Sequence, residues 1–311
     1  MSRFSRRAGR EAPVDADDTR VAVVTMVRDE GTVLPLWLSH YADQVGEDNL
    51  YIVDDSSEDG STDDLPCNVL RVPPVREGKF ESSRMRAVSG LADGLLGLYD
   101  AVVFCDADEF LVPDPAQYAG LRDVVAAHAA RGAEAVGTLG FNVVQHLGVE
   151  PALDLTAPVL TQRHYAVFVP TMCKPSINLS GSAWVAASHG IRADYRVDPA
   201  VFMFHLKFAD RDLLHAAGEH RRKMVELDGR SQVTSWRRGG DELVGLLEKV
   251  SSGIDPARTP EFVPPRGRAL DRLVIADDQR PGAHRAPKGG QVKAMEQRPA
   301  ERIPARFTGT F

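Results

Sequence analysis

Apolar and polar positions along the chain fall into blocks of two periods. The run Val21-Ala22-Val23-Val24-Thr25-Met26-Val27 is short, β-branched and almost free of polar side chains, the pattern of a strand buried on both faces. Residues 32–44 place Leu34, Leu38 and Tyr41 at helical spacing with Trp37 beside them, which predicts an amphipathic helix. Residues 50–53 predict a second strand, 69–72 a third, 82–96 a second helix and 101–105 a fourth strand. Alternation of this kind predicts an α/β fold with a mainly parallel, Rossmann-like sheet and helices on both faces. Ligands of such sheets bind beyond the carboxyl ends of the strands, and the polar clusters of this chain fall there. Arg28-Asp29-Glu30 follows the first strand, Asp54-Asp55-Ser56-Ser57 the second and Asp106-Ala107-Asp108-Glu109 the fourth.

The pattern fades at both ends. Residues 1–18 mix Arg, Asp and small residues without periodicity, and residues 276–311 are rich in Pro, Arg, Gly and Lys, so both are expected to be disordered. Between them, residues 19–275 read as one domain, with a ligand-binding half over 19–113 and a second half, ending in helices, over 114–275. No internal repeat is present.

Composition narrows the classes of function. With 311 residues, 43% of them hydrophobic, the chain can bury a full core. A formal charge of -7 argues against a general nucleic-acid binder, which needs concentrated Lys and Arg. Cys67, Cys105 and Cys173 lie far apart without a CxxC pair, which predicts neither a disulfide framework nor a structural zinc site and fits the cytoplasm. The basic N-terminus lacks a following apolar segment, and no run approaches the roughly 20 apolar residues of a membrane span. Membrane work would require docking at the inner face.

The chemistry centres on Asp106-Ala107-Asp108. Two carboxylates one residue apart repel unless a cation lies between them or one takes a proton. A hard divalent ion, Mg²⁺ or Mn²⁺, resolves that conflict and commonly shares its shell between carboxylates and substrate phosphate, so a diphosphate is the expected ligand group. On this reading, removing one of the two charges should leave the fold intact or slightly more stable. In the loop from Asp54 to Asp63, Asp54 or Asp55 is expected to accept hydrogen bonds from a base or ribose.

Four blocks then carry a resemblance. Val24-Thr25-Met26-Val27-Arg28-Asp29-Glu30, Trp37-Leu38-Ser39-His40-Tyr41, Tyr51-Ile52-Val53-Asp54-Asp55-Ser56-Ser57-Glu58-Asp59-Gly60-Ser61 and Val103-Phe104-Cys105-Asp106-Ala107-Asp108-Glu109-Phe110-Leu111-Val112-Pro113 resemble, in order and spacing, the family-2 glycosyltransferases. The likeness is to the subgroup whose acidic motif reads Asp-x-Asp-Glu-Phe, related to family 92. Lys174-Pro175, Ser188-His189-Gly190 and Phe204-His205-Leu206-Lys207 resemble its later blocks more loosely.

The resemblance implies an A-type glycosyltransferase fold and a metal-dependent, inverting transfer from a nucleotide-diphosphate sugar, a UDP-sugar, to a hydroxyl of a saccharide, lipid-linked or small-molecule acceptor. Thr25, Arg28, Glu30 and Asp54 would line the nucleotide pocket with Asp55 close by, and Arg84 would approach the donor. Asp106 and Asp108 would hold the metal and diphosphate, with His189 or His205 as a later ligand. Asp194 and Asp198 are the candidate bases, because the acidic pair that family-2 enzymes commonly offer is absent between Val136 and Asp210.

Other classes fit less well. A nicotinamide-dependent dehydrogenase needs Gly-x-Gly-x-x-Gly after its first strand, and a P-loop enzyme needs Gly-Lys-Ser or Gly-Lys-Thr; neither motif occurs. A nucleotidyltransferase needs a glycine-rich opening loop, which is missing. The alternative is a non-catalytic nucleotide-sugar-binding protein, which turnover of a labelled donor would separate from the enzyme.

Overall fold

The computed structural model of the chain describes residues 16–74, 80–228 and 238–311. Of the segment expected to be disordered at the N-terminus, only the 3-10 turn Ala16–Asp18 lies within them; residues 1–15 lie outside.

The first four strands and two helices follow the periodicity closely. Strand β1 (Val21–Val27) is buried along nearly its whole length. Helix α1 (Leu34–Val45) carries Pro35 in its first turn, where the missing N–H costs nothing, and ends at Gly46, where φ of 91° breaks the helix. Its buried stripe, Leu34, Trp37, Tyr41 and Val45, keeps helical spacing. Strand β2 (Leu50–Asp54), the exposed strand β3 (Asn68–Arg71), helix α2 (Phe80–Leu95) and strand β4 (Ala101–Phe104) complete this half.

There follow β5 (Glu109–Pro113), α3 (Leu121–Ala129), β6 (Ala135–Val144), the short α4 (Val159–Gln162), β7 (Tyr165–Phe168), β8 (Ile177–Asn178), β9 (Trp184–Val185), β10 (Gly190–Ile191) and the long β11 (Tyr195–Phe208). Helices α5 (Arg211–Asp228) and α6 (Gly240–Ser252) then lead to α7 (Arg268–Asp271), β12 (Ile275–Ala276), β13 (His284–Arg285), α8 (Gln291–Gln297) and β14 (Glu301–Arg302).

The central sheet is mixed. Its parallel core runs β3-β2-β1-β4, and beyond β4 it continues through β8, β6, β7 and β14 in antiparallel pairs. Strand β11 lies parallel to β6 and antiparallel to β5. The fold is therefore α/β with a Rossmann-like parallel half. Because β5 pairs with β11, a division at residue 113 cuts through one continuous sheet and one core. A smaller cluster, including Phe208, Leu214, Leu243, Leu247 and Met295, sits under α5, α6 and α8. Among the described residues no helix is long and apolar enough to cross a membrane.

The C-terminal segment departs from expectation. Residues 276–311 are built into the fold: β13 joins a small sheet with β10, β14 extends the central sheet at β7, and Phe307 is fully buried against Phe202 and Phe204, with ring centroids 4.5 and 5.7 Å away. Phe311 stacks on Phe110 at 4.8 Å, and Arg306 binds Asp114 at 2.9 Å. Periodicity misses such a segment because single aromatic anchors, rather than a repeating face, hold it. Phe307→Ala should accordingly cost about 3–5 kcal/mol in urea unfolding, the range for emptying a buried aromatic site. Wild-type stability in this variant would show that the tail contributes nothing to the core.

Candidate functional site

The acidic turn after β4 is held from within. The Glu109 carboxylate, 2% exposed, meets the Lys174 ammonium at 2.7 Å through Oε1, and its Oε2 accepts the Asp106 N–H at 2.9 Å. Lys174 also donates to Ser188 Oγ at 3.2 Å. From α1, the Tyr41 hydroxyl donates to the Glu109 carbonyl at 3.0 Å and accepts the Leu111 N–H at 2.9 Å, while His40 Nε2 donates to the Leu111 carbonyl at 3.0 Å. Burial drives the Glu109 carboxyl up in pKa, and the Lys174 charge opposes that. The Trp37–Tyr41 block, Lys174 and Ser188 thus share one task, fixing the backbone beneath the two aspartates.

A cavity of about 380 Å³ opens at the carboxyl ends of β1, β2 and β4. Arg28, Asp29, Glu30, Asp55, Arg84, Asp106 and Asp108 line it, joined by Lys207, His220 and Arg221 from β11 and α5. Asp29 adopts φ of 54°, and its Oδ1 accepts the N–H groups of Glu58 and Asp59 at 2.7 and 3.2 Å, tying the loop after β1 to the loop after β2.

The two aspartates do not simply repel each other. Arg84 contacts Asp106 Oδ1, whereas His205 Nε2 lies 3.0 Å and Arg221 Nη2 3.6 Å from Asp108 Oδ2. Burial works against ionisation of both carboxyls, but Arg84 and Lys174 hold Asp106, and His205, Arg221 and Lys207 hold Asp108, below the ordinary carboxylate range. The expectation that removing a charge stabilises the turn is corrected: Asp108 has its own cationic partners, and neutralising it weakens them. Burial and the Arg221 charge bring the Lys207 ammonium down to about 7, against the pull of Asp108.

Several residues sit elsewhere than expected. Asp54 is fully buried and off the cavity wall, its carboxylate taken by Ser57 N–H at 2.7 Å, Thr62 Oγ1 at 3.0 Å and Arg71 Nε at 2.7 Å; Asp55 takes the place on the wall. Thr25 is wholly buried within β1, off the wall. Asp194, with its side chain 86% exposed, pairs with His284 at 3.0 Å and is also off the wall. Asp198 accepts from Tyr118 at 2.8 Å and His128 at 2.7 Å, a structural network away from the cavity. His205 has both ring nitrogens engaged, Nδ1 with Asn142 Oδ1 at 2.7 Å, so it orients Asp108. His189 Nδ1 lies 2.7 Å from the Thr171 carbonyl, which leaves the lone pair on Nε2; burial and the Lys174 charge lower its pKa to about 4, yet it lies off the wall.

The donor set suits one kind of ion. Asp106 and Asp108 keep 37% and 20% of their side chains exposed at the cavity, and Asp106 Oδ2 and Asp108 Oδ1 stand outside the contacts just described. Among the described residues no three His, Cys, Asp or Glu side chains converge on a common point, so an all-protein cage is not built. Two carboxylates open to a cleft match Mg²⁺ or Mn²⁺, which complete their shells with phosphate and water.

Two outcomes follow. Lys174→Met leaves Glu109 buried without its cation and should cost about 3–5 kcal/mol in urea unfolding, with more than half recovered by adding Glu109→Gln; an unaffected midpoint would remove the ion pair as the anchor. Glu30, half-buried on the wall, is raised to about 7 by burial, with Asp108, Asp106 and Asp59 pushing the same way and Arg221 opposing. A carboxyl raised on folding destabilises only when ionised: the cost is absent below pH about 4.5, grows up to about 7 and is complete above it. Glu30→Gln should therefore match wild type near pH 4.5 and exceed it at pH 8 by on the order of 2 kcal/mol, read by chemical denaturation at both pH values.

Compared with known proteins, the chain matches no family model and no curated sequence, so the functional reading rests on the geometry of the cleft.

Proposed function

We propose that this protein is a metal-dependent glycosyltransferase with an A-type glycosyltransferase fold, transferring a sugar from a UDP-sugar to an acceptor hydroxyl with inversion. One observation carries the reading: Asp106 and Asp108 stand on a cavity wall at the end of β4, next to the loops that close β1 and β2. This is where an α/β sheet takes a nucleotide, and the paired carboxylates supply what a diphosphate with its cation requires.

On this reading Asp106 and Asp108 hold Mg²⁺ or Mn²⁺, which when bound supplies Lewis-acid stabilisation of the charge that develops on the leaving diphosphate. The protein does the rest. Arg84 and His205 hold the two carboxylates in place, and Arg28 and Arg221 provide positive charge on the same wall for phosphate oxygens. Asp55, on the wall, would meet the ribose or base, the role expected of Asp54 or Asp55. Two wall residues can accept the acceptor's proton, Glu30 and His220; a carboxyl at about 7 suits a base working near neutral pH.

UDP should bind at least about tenfold more tightly in Mn²⁺ or Mg²⁺ than in a chelator by calorimetry, since Asp106 and Asp108 would hold the ion and its charge would favour the diphosphate. Asp108→Asn should lose donor turnover by about a hundredfold or more while its circular dichroism spectrum stays native and its melting point falls modestly through the weakened His205 and Arg221 contacts. Metal-independent UDP binding, or a folded variant that turns over normally, would each sink the proposal.

A further inference from the structure

The cavity has a second wall whose aliphatic part diphosphate binding leaves without a task. Helix α5 presents Leu213, Ala216, Ala217, His220 and Arg221 to it, positions separated by three, four, seven and eight residues and hence on one helical face. That face changes character along its length. Arg221 reaches Asp108, whereas Leu213, Ala216 and Ala217 are aliphatic, and a rise of about 1.5 Å per residue puts Leu213 about 12 Å from Arg221 along the axis.

Leu155 continues the aliphatic surface from the loop before α4, which is pinned beside α5 where the Leu153 N–H donates to Asp210 at 2.8 Å. Leu155 and Leu213 are half-buried, yet neither belongs to the two hydrophobic clusters of the core. Apolar side chains that line a cavity without packing into the core await an apolar ligand group. A purely saccharide ligand would lose water from its hydroxyls against this surface and gain no hydrogen bond in exchange.

We propose that the cavity takes an amphiphile: a hydroxyl-bearing head beside His220, Arg221 and the two aspartates, and an aliphatic chain along Leu155, Leu213 and Ala217. This rests on the glycosyltransfer reading only in naming that amphiphile the acceptor. The chain, one to two helical turns from Arg221 along α5, would hold the head so that its hydroxyl faces the donor.

The test uses the full chain and two defined probes, octyl β-D-glucoside below its micelle concentration and methyl β-D-glucoside, with UDP and Mn²⁺ as a third ligand. The octyl compound should bind at least about tenfold more tightly, since several methylene groups leave water. Leu213→Asn and Ala217→Trp, one making the wall polar and the other filling it, should each bring the ratio to within about twofold while UDP binding holds. Equal binding of the two glucosides, or a preference that survives both variants, would overturn the proposal. Loss of UDP affinity in step with the octyl compound would overturn it too, by making this wall the seat of the nucleobase. Octyl preference without any UDP binding would uphold the apolar seat and remove the transferase reading instead.

Discussion

The buried pair of Glu109 and Lys174 is the constraint on which the site depends. Each side chain is 2% exposed, and neither charge tolerates such burial alone. Together they do, because Glu109 spends its second oxygen on the Asp106 N–H and Lys174 also reaches Ser188. A backbone amide of the acidic turn is thereby fixed to a charge that cannot move. The carbonyls and amides of residues 109–111 are fixed in parallel by Tyr41 and His40, so the carboxylates of Asp106 and Asp108 face the cleft from a rigid base. Ser188 closes a run of three non-glycine residues, Ala186, Ala187 and Ser188, at φ of 54°, 56° and 66°. Such backbone is costly for residues with a Cβ, and the Lys174 contact at its end is one of the interactions that hold it.

How much of this could be read from the sequence depends on the range of the interaction. Strands β1 to β4 and the acidic turn were legible because periodicity and motif are local. The choice between Asp54 and Asp55 was not: adjacent residues at a strand end point to opposite sides, and only the positions of Thr62 and Arg71 draw Asp54 into the loop and off the wall. Asp194 and Asp198 were picked for residue type in a stretch without an acidic pair, and nothing local reveals that His284 and His128 already hold them. Lys207 was visible as part of a loosely matching block. Arg221 and the aliphatic face of α5 carried no signal, since their meaning comes from a cavity assembled by strands more than a hundred residues earlier.

The charge balance of the cleft follows from the same assembly. Asp29, Glu30, Asp55, Asp106 and Asp108 share the wall with Arg28, Arg84, Lys207 and Arg221. The carboxylates after β4 lean on Arg84 of α2, His205 of β11 and Arg221 of α5, so the acidic turn is electrostatically tolerable as it stands. The residual strain is borne by Glu30 and Lys207, opposite charges on the same wall whose titration is shifted toward the neutral form in both cases.

The packing of the C-terminal segment also bears on the order in which the chain can fold. Arg306 finds Asp114 across 192 positions, and Phe307 and Phe311 cover Phe110, Phe202 and Phe204. Contacts of such separation pay loop-closure entropy before they stabilise anything, which slows folding relative to a fold of local contacts. During synthesis, a chain complete through β11 would carry this aromatic cluster with its lid still to be made. Between that moment and the arrival of residue 311, the nascent chain is a sticky intermediate, and its yield in a cell becomes a matter of translation rate and chaperone access.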